Sequence, residues 1–329
     1  MSRNAAKFRI IRFSDGDARR VADVLAAEEP LELRVETPSS DGYAQVAVTM
    51  RTPGHDFELA AGFLFSEGLI VRTGPPGGPA GRPGEANDRP GEGPAPVSAA
   101  HAPDAIERIS YCRDLGDGPQ HYNIVNVRLR PGFALRPAER RFFMSSSCGV
   151  CGKGSIEAIR VHGAGPVTGD FVVEPEVLFA LPERLRTAQA LFDRTGGLHA
   201  AGLFDLDGTP IAVREDVGRH NAVDKLLGEA LLNRRLPLDR HLLMVSGRAS
   251  FEIVQKAAVA GIALIAAVSA PSSLACETAE AFGITLVGFL RERRGNIYTG
   301  ERRIRLAAGD ERRSNDELRS GDEGFHAGA

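Results

Sequence analysis

No stretch of this 329-residue sequence approaches the ~20 consecutive apolar residues that a membrane-spanning helix needs. The opening residues, MSRNAAKFRIIRFSDGDARR, also lack the apolar core of a secretory signal. The expectation is a cytoplasmic protein with no membrane partner. A strong charge of one sign is absent too: the formal net charge is −3, which gives no overall electrostatic case for nucleic acid. Cysteine is scarce. Four in a chain this long are too few for a disulfide scaffold, so a CxxC pair points to metal or thiol chemistry. No internal repeat is visible. What is present, 43% hydrophobic and 25% charged residues, is the balance of a globular protein with room for two domains.

Composition divides the chain. Residues 1–29 read as an N-terminal tail and 30–141 as a small α+β domain. That domain is interrupted at 72–103 by a Gly/Pro-rich stretch in which Val97 is the only aliphatic side chain larger than alanine. Such a stretch cannot bury enough apolar area to offset its ordering entropy, so it reads as a disordered insertion. Before it, YAQVAVTM places Val46, Val48 and Met50 inward, and HDFELAAGFLFSEGLI reads as a helix ending near Gly68. After it, YNIVNVRLR alternates Val125, Val127 and Leu129 against polar residues, the pattern of a half-buried antiparallel strand.

Residues 142–164 form a loop and linker around FFMSSSCGVCGKGS, and 165–308 a second domain of the α/β class. There, PERLRTAQALFDRTGG predicts one helix with Leu185, Ala188 and Phe192 aligned, and Asp207-Gly208 predicts a hairpin turn. Beyond it, HLLMVSG, IALIAAVSA and ITLVGFLR read as buried strands alternating with helices. That alternation predicts a mixed, mostly parallel sheet with helices on both faces. The charged, glycine-rich end from 309 to 329 reads as a disordered tail.

Cys148 and Cys151 leave several chemistries open. A structural zinc needs four ligands, but Cys112 and Cys276 are isolated and no histidine pair has ligand spacing, which argues against a metal. Dithiol exchange fits CxxC, although thioredoxin folds place the motif between a strand and a long helix. Here the flanks are small and flexible on both sides. Such a loop, with Lys153 favouring the thiolate, also suits a cysteine that receives and passes on sulfur.

In an open α/β sheet, ligands bind outside the carboxyl ends of the strands. Three loops at those ends, 213–224, 245–250 and 268–273, offer small residues, and the last two lead into helix N-termini. Arg219, His220 and Arg248 are the candidate phosphate contacts; Asn221, Ser250 and Ser273 are also candidate helix caps. The run 288–300 brings Arg291, Arg293 and Arg294 together, either for phosphate or guanine recognition or as a solvated hairpin. A zinc deaminase needs His-x-Glu, and Ala201 stands where that glutamate would follow His199.

Taken together, SSSCGVCGK, TGGLHAAGLF, REDVGRHNAVDKLLG, VSGRASFEIVQKAAVAGI, SAPSSLACETAEAFGITLVGFLR and NIYTG resemble the FdhD family of formate dehydrogenase accessory sulfurtransferases. The resemblance runs from about Pro30 to Leu306. It implies a sulfur carrier: persulfide sulfur from a cysteine desulfurase passes to the molybdenum cofactor, Mo-bis(molybdopterin guanine dinucleotide), for the formate dehydrogenase apoenzyme. By the same resemblance Cys148 is the persulfide carrier and Cys151 the second thiol. The cofactor-contacting run maps to Phe289, Leu290, Arg291, Glu292, Arg293 and Arg294. It further implies a homodimer whose larger domain is cytidine-deaminase-like without the zinc site. Two other readings compete: a cofactor-binding chaperone that transfers no sulfur, and a CxxC dithiol redox protein.

Overall fold

A computed structural model describes residues 4–73, 97–112, 122–136, 142–143 (backbone only) and 164–306. Cys148, Cys151, the expected tail at 309–329 and most of the expected insertion lie outside the described residues.

The stretch read as an N-terminal tail contains a hairpin, β1 (Ala5–Ser14) and β2 (Asp17–Ala26), paired over its full length. Asp15 and Gly16, both with positive φ, make the two-residue turn that matches strand twist. β3 (Glu29–Glu36) buries Leu31, Leu33 and Val35 on one face. In β4 (Ala44–Arg51) Val46 packs against the core as expected, but the burial does not continue to Met50. Ala47 and Arg51 are buried and Met50 is exposed, because the Arg51 guanidinium turns inward to grip the Asp56 carboxylate at 3.0 Å.

Helix α1 (Asp56–Ser66) ends as expected, with Gly68 in the left-handed region. β5 (Ile70–Arg72) follows. The expected insertion is ordered at both ends: Arg72 closes β5, and Val97 is buried with its amide donating to the Ile70 carbonyl. A 3-10 turn, Ala102–Asp104, leads into β6 (Ile106–Tyr111), β7 (Ile124–Leu129), β8 (Phe133–Leu135) and β9 (Phe142–Phe143). The sheet order is β6-β7-β3-β4-β9. Val125, Val127 and Leu129 are buried as their alternation predicts, but β7 is antiparallel only to β6 and runs parallel to β3.

In the second half the single expected helix is two. α2 (Pro175–Thr187) begins a turn or more earlier than the sequence suggests, and α3 (Ala190–Thr195) follows a break at Ala188-Gln189. The break persists because the Glu215 carboxylate accepts the Leu191 and Phe192 amides at 3.0 and 2.7 Å, satisfying the new N-terminus. Next come β10 (His199–Phe204), β11 (Pro210–Asp216), α4 (Arg219–Leu232), β12 (Leu242–Val245) and α5 (Phe251–Val259). β13 (Leu264–Ala267), α6 (Ser273–Ala281), β14 (Thr285–Arg291) and β15 (Arg294–Thr299) complete the domain.

The sheet order is β11-β10-β12-β13-β14-β15. It is mixed, but not mostly parallel: only β12/β13 and β13/β14 are parallel pairings. Tight turns at Asp207-Gly208 and Glu292-Arg293 return the chain directly, so the flanking strands pair antiparallel. No described helix is long and apolar enough to cross a membrane.

The two halves meet where α1 crosses α4. Gly62 and Gly228 sit at the crossing, and a Cβ at either would lie 1.8 Å from a carbonyl oxygen of the other helix. Around it are buried ion pairs. Lys225 reaches Asp216 at 2.7 Å, while Lys256 reaches Asp224 at 2.9 Å and Glu67 at 2.6 Å. Ser66 bridges Lys256 and Asp224, accepting from one and donating to the other. Such pairs add little net stability, but they strongly penalise loss of one partner.

Candidate functional site

The carboxyl ends of β12, β13 and β14 end on one edge of the sheet, beside the start of β10. Over that edge lies a cavity of about 720 Å³. Ser246 after β12, Val268 after β13 and Arg291 at the end of β14 line its floor. His199, Leu198 and Val217 line one side. Helices α2 and α3 supply the opposite wall through Phe179, Leu185 and Phe192. The three strand-end loops named from the sequence therefore do converge, contributing Val217, Ser246 and Val268 respectively.

Their charged residues divide. Arg219, in the first turn of α4, holds its Nε buried with no hydrogen-bond partner among the described residues. Arg248 is exposed. His220 is part-buried beside Arg219. Burial, then the neighbouring Arg219 charge, brings its pKa down to about 4, so it is neutral at pH 7. Its Nε2 lies 3.1 Å from the Ser250 hydroxyl and 3.7 Å from Glu252.

The expected caps are redistributed as well. Ser250 precedes α5 but makes no side-chain cap bond. α6 is capped by Ser272, whose hydroxyl accepts the Ala275 amide at 3.3 Å, rather than by Ser273. Asn221 sits inside α4 and donates to the Met50 carbonyl at 2.7 Å, tying the helix to β4.

His199 was singled out in the sequence only as a missing deaminase signature, yet it lines the cavity. Burial first, then Arg219 and Arg248, depress its pKa despite the opposing Asp216. Gly247 allows the chain past it: a Cβ there would lie 3.2 Å from His199 Nδ1. The signal available in the sequence was a histidine directly after Gly196-Gly197-Leu198, at the mouth of a strand.

The run Phe289 to Arg294 forms the β14–β15 hairpin. Phe289, Glu292 and Arg293 all have positive φ, a conformation costing non-glycine residues about 1–3 kcal/mol each. Arg291 and Glu292 line the cavity, and Leu290 is fully buried beneath. Arg293 turns away to Glu176 at 3.2 Å and stacks over Phe179, pinning the hairpin to α2. Arg294 pairs with Glu292 at 3.3 Å.

The chain enters the CxxC segment from β9, which runs parallel to β4 with Phe143 opposite Val48. Two residues further along β4 is Met50, held by Asn221 at the start of α4. After the CxxC segment the described chain resumes at Ala164, and the Val167 amide donates to the Phe282 carbonyl.

Comparison with known proteins is consistent along the chain. The model of the FdhD/NarQ family matches residues 98–305. A Streptomyces avermitilis protein named sulfur carrier protein FdhD is 48% identical over 313 residues, spanning 94% of this chain and 98% of its own. A Mycobacterium tuberculosis protein of the same name is 47% identical over 292 residues, spanning 86% and 92%. One from Saccharolobus solfataricus is 37% identical over 298 residues, spanning 91% and 97%. Among solved structures, a protein described as a formate dehydrogenase accessory protein from Desulfotalea psychrophila shares the fold. Its TM-score is 0.64 at 23% identity, covering 92% of this chain and all of its own.

Proposed function

Because this chain belongs to the FdhD/NarQ family, we infer that it is a sulfur carrier of the kind its relatives are named for, acting in the maturation of formate dehydrogenase. Cys148 is the carrier. Its thiolate attacks the outer sulfur of a cysteine desulfurase persulfide; a new S–S bond forms on Cys148, the donor's S–S bond breaks, and the donor leaves as a thiolate. The substrate that receives the sulfur is the molybdenum cofactor in its bis-guanine-dinucleotide form, bound at the strand-end cavity. Cys151 is the second thiol: attack on the loaded Cys148 releases sulfide and closes a Cys148–Cys151 disulfide.

The observation that carries this reading is the convergence of three polar strand-end loops and the Arg291–Glu292 turn on one cavity. Its size falls within the range of about 300–1,000 Å³ typical of small-molecule sites. Arg291 supplies a planar, permanently charged donor for phosphate or a guanine edge. His199 also lines the cavity, with the Arg219 charge close enough to lower its pKa. Phe179 and Phe192 on the other wall each carry a guanidinium over the ring, Arg293 and Arg186, which adds positive charge to that side. The direction of β9 is also consistent: it leads the chain toward the start of α4, and the five residues from Phe143 to Cys148 reach up to about 17 Å.

The six-stranded layer fits a cytidine-deaminase-like domain that has lost its catalytic zinc, with Ala201 in place of the proton-shuttling glutamate. A homodimer is part of the same reading. The test is formate dehydrogenase activation by Cys148→Ala and Cys151→Ala, each alone. Sulfur carriage predicts loss at Cys148; loss at both equally fits dithiol exchange, and loss at neither fits a cofactor chaperone.

A further inference from the structure

The most exposed large apolar side chains among the described residues are Phe13 and Ile11, at 82% and 61%, both on the β1–β2 hairpin. Phe8, on the opposite face of the same strand, is 51% exposed. These residues alternate with charge. The hairpin carries Lys7, Arg9, Arg12, Arg19 and Arg20 within a chain of net charge −3. All five are exposed, and none forms an ion pair with a described residue. Arg12 lies directly opposite Arg19, an arrangement that destabilises an isolated strand pair.

The hairpin is also short of partners along its backbone. β1 and β2 form a two-stranded sheet, and no third described strand joins either edge. Two strands alone are marginal in water. Among the described elements, the hairpin is supported chiefly where β2 packs against α3, the helix that contributes Phe192 to the cavity wall. β1 is left with a row of outward amides and carbonyls, flanked by arginines and apolar side chains.

We propose that β1 is a docking strand for the apoprotein that accepts the cargo, recruited through an extended segment in which acidic and apolar residues alternate. Added beside β1, that segment makes a three-stranded sheet. On one face its acidic residues meet Lys7 and Arg9 and its apolar ones meet Ile11 and Phe13; on the other, an acidic residue resolves the Arg12–Arg19 repulsion. Phosphate backbones and anionic lipid surfaces fit less well. Asp15 and Asp17 flank the tip beside Phe13, where they repel such surfaces at the point of first contact. The position of β2 against α3 places the docked protein next to the cavity that its cargo must leave.

This inference rests on the sulfur-carrier reading, so its test separates the two. Binding of the full-length chain to purified apo-formate dehydrogenase is measured by interferometry for wild type, Arg12→Glu/Arg19→Glu and Ile11→Ser/Phe13→Ser. Persulfide loading of Cys148 is followed in parallel by mass. These side chains are exposed, so unchanged circular dichroism and thermal midpoints are the folding control. The expected result is at least tenfold weaker binding in both variants, with loading unchanged. Binding within twofold of wild type in either variant overturns the docking strand. So does an effect confined to sedimentation, which assigns the hairpin to a second copy of this chain, or one confined to phosphatidylglycerol vesicles, which assigns it to a lipid surface. Absent loading in wild type counts against the carrier reading alone.

Discussion

The joint between the two halves and the strand-end edge beside it are both built from charged residues and glycines, but they complete their interactions to different degrees. In the joint, Asp216 takes four partners: Lys225, the Thr52 and Gly218 amides, and Asn221. Lys256, Asp224, Ser66 and Glu67 likewise close on one another. Near the edge, the Arg219 Nε is buried without a partner among the described residues, and three residues of the Phe289–Arg294 run hold left-handed backbone. The motif REDVGRHNAVDKLLG spans both regions. Asp216, Asp224, Lys225 and Gly228 belong to the joint, whereas Val217 lines the edge cavity and Arg219 lies close enough to His199 to lower its pKa. Polar groups in the joint are paired with one another, which makes loss of any one partner costly, whereas near the edge a buried donor is left over among the described residues.

The largest effect should come from breaking the helix crossing. Gly228→Ala places a methyl 1.8 Å from the Glu58 carbonyl oxygen, so α1 and α4 must separate. A loss of at least about 3 kcal/mol in urea unfolding, with falling soluble yield, is expected. Lys225→Met comes next. It strands Asp216, fully buried, without its cation, and should cost about 3–5 kcal/mol in the same assay.

Between the two regions lies His220. Its folded pKa of about 4 is below the ordinary imidazole value, so the unfolded chain takes up a proton first as pH falls. Stability is therefore full above about pH 6.5 and is lost toward pH 4, by up to about 3 kcal/mol. His220→Gln should flatten that slope in denaturation series run across pH 4–7. The smallest structural effect belongs to Arg219→Gln, within about 0.5 kcal/mol of wild type, because its Nε bonds to no described residue. Guanosine diphosphate binding by calorimetry should nonetheless weaken by about tenfold, the scale of one charged hydrogen bond.

That contrast also explains what the sequence could and could not disclose. Strands β12 to β14 were legible as short apolar runs, and the helices between them because each is closed by a glycine, Gly261 or Gly283. The convergence of strand-end loops followed from that alternation by geometry alone. Met50 in β4 was misread as inward because Arg51 turns inward to a partner beyond the strand, which overrides hydrophobic alternation. The low pKa of His220 is not visible in the sequence, because the burial that causes it arises only when α4 packs. The Gly62–Gly228 crossing joins positions remote in the chain, so neither glycine signalled its role locally.

The central claim is sulfur carriage on Cys148, and it is tested most directly by mass. The protein is incubated with a cysteine desulfurase and free cysteine, and its intact mass and peptide map are recorded. The account predicts a gain of about one sulfur atom, localised to Cys148 and removed by reductant, as reversible persulfidation requires. No adduct under conditions that load a control acceptor would contradict it.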